Sequence, residues 1–230
     1  MKKVDILVIV LVVLFLLPFF LFNSVFDSYK HLNDIHPYWM AFVKFAILAT
    51  FGEMLALRIK SGKYYTSGFG IFPRMVIWGL FGVWIAFGMK VFASGVPGVV
   101  EKIGASGLVA AMGGSFSSLK LLGAFCISVM MNTSFAPVFM TVHKVTDAHI
   151  MQYHGKAKCL ITPINVKGIF PNLNWDVQWN FVFKKTIPLF WIPAHTLTFC
   201  LPTDFQVLFA ALLSIALGLI LAFASLKSAK

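Results

Sequence analysis

Apolar residues come in six long runs, 6–22, 37–57, 73–92, 121–142, 186–201 and 205–223, parted by stretches that hold most of the charge. Within the runs apolar and polar positions do not alternate, which argues for helices crossing a bilayer and against the two-residue period of a membrane β-barrel. Each run is near the roughly 20 residues that span about 30 Å of hydrocarbon. The pattern therefore predicts an all-α integral membrane protein, a bundle of about six transmembrane helices. The fifth run is the shortest and contains Pro188 and Pro193. Prolines free backbone carbonyls that neighbours must satisfy, so this helix is expected to kink and to face protein.

Small residues recur at helical spacing inside the runs, which lets helix backbones approach closely. Gly79, Gly82 and Ala86 share one side of the third run, and Ala210, Ser214, Gly218 and Ala222 repeat along the sixth. Around Gly52 the second run has Ala46, Ala49, Thr50 and Ala56. Helix packing is thus expected at Gly52, Gly79, Gly82, Ser214 and Gly218. The first run has neither Gly nor Ala between Ile6 and Phe22 and reads as an added anchor at the edge. The predicted organisation is an anchor helix with an outer linker (1–33), a helical bundle (34–223) with an inner loop at 143–185, and a basic tail (224–230). The stretch 93–120, rich in Gly, Ser and Ala, is expected to hold an interfacial or re-entrant piece at 105–112.

Composition agrees with the pattern. With 59% hydrophobic residues, 12% charged residues and a mean hydropathy of +0.86, the chain is excluded from ordinary soluble classes. With both termini placed inside, fourteen Lys and Arg fall in inner segments and four in outer ones, as the positive-inside rule requires of an even number of spans. The net charge of +11 then reads as topology and attraction to anionic lipid headgroups on the inner face, and gives no sign of nucleic-acid binding. Two lysines before the first run resemble a signal peptide, but Asn23-Ser24-Val25 offers no small-x-small cleavage site. A bacterial cytoplasmic membrane is the simplest location. Cys126, Cys159 and Cys200 are too few and too scattered for a disulfide framework or a metal-ligand pattern.

Against this apolar background one carboxylate stands out. Glu53 lies inside the second run, where an ionisable group is costly and points to function. Its helical neighbours form the small-residue stripe, so it is expected to face protein. Lys44 shares its face with bulky residues and is expected to face lipid and snorkel outward. The fourth run is polar at its centre, with Ser128, Asn132, Thr133 and Ser134, and the fifth carries His195 and Thr198. Glu53, Asn132, His195 and Thr198 are therefore the candidates for a path lining or a buried polar set. Glu53 could pair with Lys60, and His195 with Glu53, Asn132 or a freed carbonyl. His143, Asp147, His149 and His154 do not close a coordination set and are expected to be solvated. No metal or cofactor is expected. Glu53 has no second carboxylate at depth and the span hydroxyls have only His195 as a base, so no enzymatic activity is expected either.

In order along the chain, these features resemble a family of small polytopic organelle membrane proteins, the Mpv-seventeen and peroxisomal-membrane-protein-twenty-two family. Its opening His-Pro and later Gly-Asp are similar to His36-Pro37 and Gly52-Glu53. Its Asp-Gln before Phe-Ala-Pro is similar to Met131-Asn132 before Phe135-Ala136-Pro137. Its Trp-Pro, Gln, Asn-Phe, Pro and Arg series has counterparts in Trp191-Ile192-Pro193, His195, Thr198-Phe199, Pro202 and Gln206. The resemblance covers about 34–223, and its polar motif residues differ. It implies a compact helical bundle with no known enzymatic activity, of a kind described as channels or pore-forming proteins, without carrying over their selectivity; the leading expectation is a weakly selective path for small solutes through the bundle. A homo-oligomer is compatible with that expectation, and a non-conducting structural or interaction protein is the rival one.

Overall fold

The computed structural model describes the backbone of residues 3–227 and side chains as far as Leu219. Lys2, the side chain of Ala222 and the side chains of the basic tail lie outside the described residues. The described chain is helical without strands. Its elements are α1 (Lys3–Leu21), α2 (Asn23–Ile35), α3 (Pro37–Ser61), α4 (Ile71–Lys102), α5 (Leu108–Gly113), α6 (Ser118–Gln152), short turns including α7 (Val166–Ile169), α8 (Trp175–Val177), a wide-turned helix Gln178–Trp191, α9 (Ile192–Cys200) and α10 (Thr203–Lys227). Four of them, α1, α3, α4 and α6, are long and apolar enough to cross a membrane, and α10 is apolar over Thr203–Leu219.

Local sequence sets the ends of these helices. Gly62 at φ 75° closes α3, its N–H reaching the carbonyl of Arg58 at 2.9 Å, as a left-handed glycine does at a helix C-terminus. Gly155 at φ 68° does the same after α6, donating to Ile150. Ser117 starts α6, its hydroxyl accepting from the Lys120 N–H. The segment 105–112 does form a short packed piece, α5, whose Leu108 is fully buried and whose first turn is capped by the Glu101 carboxylate at the Val109 N–H.

Three expected boundaries are corrected. The outer linker is a helix, α2, because Val25, Phe26, Tyr29 and Leu32 recur at helical spacing with no Gly or Pro between them. The helices α4 and α6 outrun their apolar runs, reaching 32 and 35 residues, about 48 and 52 Å at 1.5 Å per residue. The expected inner loop 143–185 is therefore helical at both ends: α6 continues to Gln152, and residues 175–200 form one uninterrupted helical rod. Its middle is wound widely, with the Ile192 N–H bonded to the Ile187 carbonyl. Pro188 and Pro193 supply no N–H, and the wider turn re-pairs the backbone around them.

Residues 1–40 and 41–230 form two compact units. In the first, α1 is apolar on every side and buries no residue, while Phe19 and Tyr29 meet edge to face at 5.8 Å. The second has its core where α3, α4, α6, α9 and α10 converge, with Phe45, Trp78, Phe81, Ile127, Phe199 and Ala211 all buried. Glycines make that convergence possible. A Cβ on Gly82 would lie 2.5 Å from the Ala41 carbonyl, one on Gly79 would enter the Phe42 ring, and one on Gly52 would lie 2.9 Å from the Ile215 Cα. A Cβ on Gly218 would lie 3.4 Å from the Gly52 carbonyl oxygen. Ser214 turns its hydroxyl back to Ala211 at 2.6 Å.

Candidate functional site

A partly open cavity of about 410 Å³ lies within the second unit, lined by α3, α4, α6, the rod and α10. Its wall is largely apolar, with Phe45, Ile85, Met131, Phe135, Phe139 and Met140 among the lining residues. Glu53, Asn132 and His195 all line it, and Ser214 and Gly218 add the α10 side. Thr198 does not. It is fully buried and donates to the Ala194 carbonyl of its own helix at 2.9 Å.

At one end of the cavity the polar groups are charged. Glu53 Oε2 and Asp147 Oδ1 both accept from Arg74 Nη1, each at 2.6 Å. Arg74 Nε donates to the Phe69 carbonyl at 2.8 Å, and its guanidinium lies over the Phe69 ring at 4.6 Å. His143 Nε2 is 3.2 Å from Glu53 Oε1 and 3.6 Å from Asp147 Oδ2. The histidine ring is held against Trp78 at 4.7 Å and stacked on Phe139. Three helices thus supply this knot: α3 gives Glu53, α4 gives Arg74, and α6 gives His143 and Asp147 one turn apart. A buried carboxylate is tolerated when it is paired and its lone pairs are filled. Arg74 and His143 meet that condition for Glu53.

Four expectations change here. Glu53 pairs with Arg74 rather than Lys60. Asp147 is a second carboxylate beside it, so the premise that Glu53 stands alone does not hold. His143 and Asp147 are half-buried rather than solvated, because α6 continues past its apolar run and turns both toward α3 and α4. Lys44 is only 7% exposed and lies within electrostatic reach of Asp204, at the start of α10, so it faces protein instead of lipid. Glu53, His143 and Asp147 could offer three ligand atoms within 4.8 Å of one another. The Arg74 nitrogen, 2.6 Å from each carboxylate, already supplies the cation that such a set attracts.

Deeper along the same wall the polar groups are neutral. Asn132, fully buried, places Nδ2 at 2.9 Å from the Ser128 carbonyl and 3.0 Å from His195 Nδ1. Ser128 donates to the Ile192 carbonyl at 2.7 Å, which also accepts from Thr196. This network ties α6 to the proline-bearing rod at the carbonyl next to Pro193. Comparison of the chain with protein-family models, with curated proteins and with solved structures finds no match for it.

Proposed function

We propose that this is a multi-pass membrane protein of about six spans, with both termini on the cytoplasmic side, that passes small solutes along this cavity. The observation that carries this reading is that Glu53, Asn132 and His195, far apart in the sequence, line one cavity. The excess of Lys and Arg in the segments assigned to the inner side supports the topology, and a cytoplasmic membrane is the location it fits. The likeness of the His36-Pro37, Gly52-Glu53 and Trp191-Ile192-Pro193 stretches to the small-channel family points the same way. On this reading the knot of Glu53, Arg74, His143 and Asp147 is the charged inner mouth, with the aromatic wall beyond it.

The test is solute efflux from liposomes and current across planar bilayers with purified protein. The expected result is efflux of small solutes that Glu53→Gln alters in ion preference while the protein stays folded. A second reading, a non-conducting structural protein, has its own observation: Glu53 and Asp147 are both paired with Arg74, as in a knot that only holds helices together. Silence in both assays, with Glu53→Gln lowering thermal stability alone, favours that second reading.

A further inference from the structure

The cavity wall has an unmet need that runs in one direction. Gln178 is 3% exposed, yet its amide nitrogen has no hydrogen-bond partner among the described residues, and the indole nitrogen of Trp191, further along the same wall, is also buried without one among them. Both atoms are donors. The acceptors named on that wall are occupied: Arg74 fills the carboxylate of Glu53, and Asn132 is engaged with Ser128 and His195. A buried donor without an acceptor is costly, and a ligand oxygen would relieve that cost. Lys60 and Lys144, both exposed, line the cavity at the end where α3 finishes and the rod begins, the end that holds Gln178. Lys60 has no ion-pair partner among the described residues. From Met131 to Lys144 the α6 side of the wall is about 20 Å long at 1.5 Å per residue, and it is mostly apolar.

We infer that the cavity binds a single-chain anionic amphiphile, with the acceptor oxygens of its head at Gln178, Lys60 and Lys144 and its chain along the apolar wall. Carboxylate and phosphate heads share the required chemistry: negative charge, several acceptors and no obligatory donor. The inference rests on the cavity being the functional site, as proposed above, and is independent of conduction.

Purified full-length protein in detergent is titrated with palmitate, with a lysophosphatidate, and with hexadecanol as the neutral control, and occupancy is read by native mass spectrometry. One anion is expected to bind saturably, one per chain, with hexadecanol about tenfold weaker, the size of one charge-assisted hydrogen bond. The better of the two anions identifies the head. Gln178→Leu replaces an unpartnered amide with an apolar side chain and is expected to fold as well as wild type by thermal unfolding. It should bind the anion about tenfold more weakly and hexadecanol unchanged. Lys60→Gln, at an exposed position, should move anion binding in the same direction. Absence of saturable anion binding to wild type, or equal affinity of wild type and both variants, overturns the proposal. Efflux without anion binding would leave the path standing and remove this ligand class; anion binding without efflux would do the reverse.

Discussion

The two polar networks along the cavity solve the same problem with different chemistry. The knot of Glu53, Arg74, His143 and Asp147 uses full charges and joins three helices through one guanidinium. The Ser128, Asn132 and His195 network uses neutral hydrogen bonds and joins two. Their places explain the difference. The knot lies at the end of the bundle where α3 gives way to α4, beside the exposed Lys144, which itself reaches Asp147 at 3.8 Å. The neutral network lies further in, where Asn132 and Ser128 are fully buried. The cost of holding charge rises with depth, so ionised groups gather near the end and amides, hydroxyls and imidazole serve the middle.

The contrast breaks most visibly at Arg74. Arg74→Met leaves two half-buried carboxylates without their shared cation, and a loss of about 3–5 kcal/mol is expected in thermal or denaturant unfolding in detergent. Glu53→Gln leaves Arg74 with Asp147, so about 1–3 kcal/mol is expected in the same assay. The neutral network should respond less. Asn132→Ala is expected to cost about 1 kcal/mol, in line with hydrogen bonds between membrane helices. Combining Glu53→Gln with Asn132→Ala sharpens the comparison, because networks without shared partners should add to within about 0.5 kcal/mol. A larger coupling would mean that the cavity joins them into one unit. Lys144→Ala, an exposed charge on the rim of the knot, should change stability by less than about 1 kcal/mol.

The part of this arrangement legible in the sequence is the part that local periodicity carries. The small-residue stripe around Gly52 and the glycines of α4 and α10 meet their partners where helical spacing puts them. The pairing of His195 with Asn132 was one of three partners that the spacing left open. What the sequence hid depends on where helices end and what covers them. Asp147 looked solvated because the apolar run stops at Val142, yet Val145 and Ile150 are both buried on the extended α6 and no Gly or Pro interrupts it before Gly155. That spacing was the available signal for the longer helix. A helical wheel ranks faces by their own side chains and so misplaces Lys44, whose burial comes from other helices and which has the opposite charge of Asp204, more than 150 residues later, within electrostatic reach. The role of Arg74 stays hidden because nothing local to α4 announces the carboxylate on α3 that it pairs with.

Two glycines set the geometry of the knot. Gly70, at φ 71°, immediately precedes α4, and Gly155, at φ 68°, follows α6; a Cβ on either would lie within 2.6 Å of the other's backbone. The two turns are therefore pressed together with no room for adjustment. Arg74 lies four residues from one of these points, in the first turn of α4, and Asp147 eight residues from the other, in the last turns of α6. The touching turns act as the zero mark of two rulers, and each residue added to or removed from a ruler swings its charged group about 100° around the helix axis. Insertions between Gly70 and Arg74 should accordingly unmake the ion pair while leaving every charged residue in place, so that spacing becomes as much a part of this site as the residues themselves.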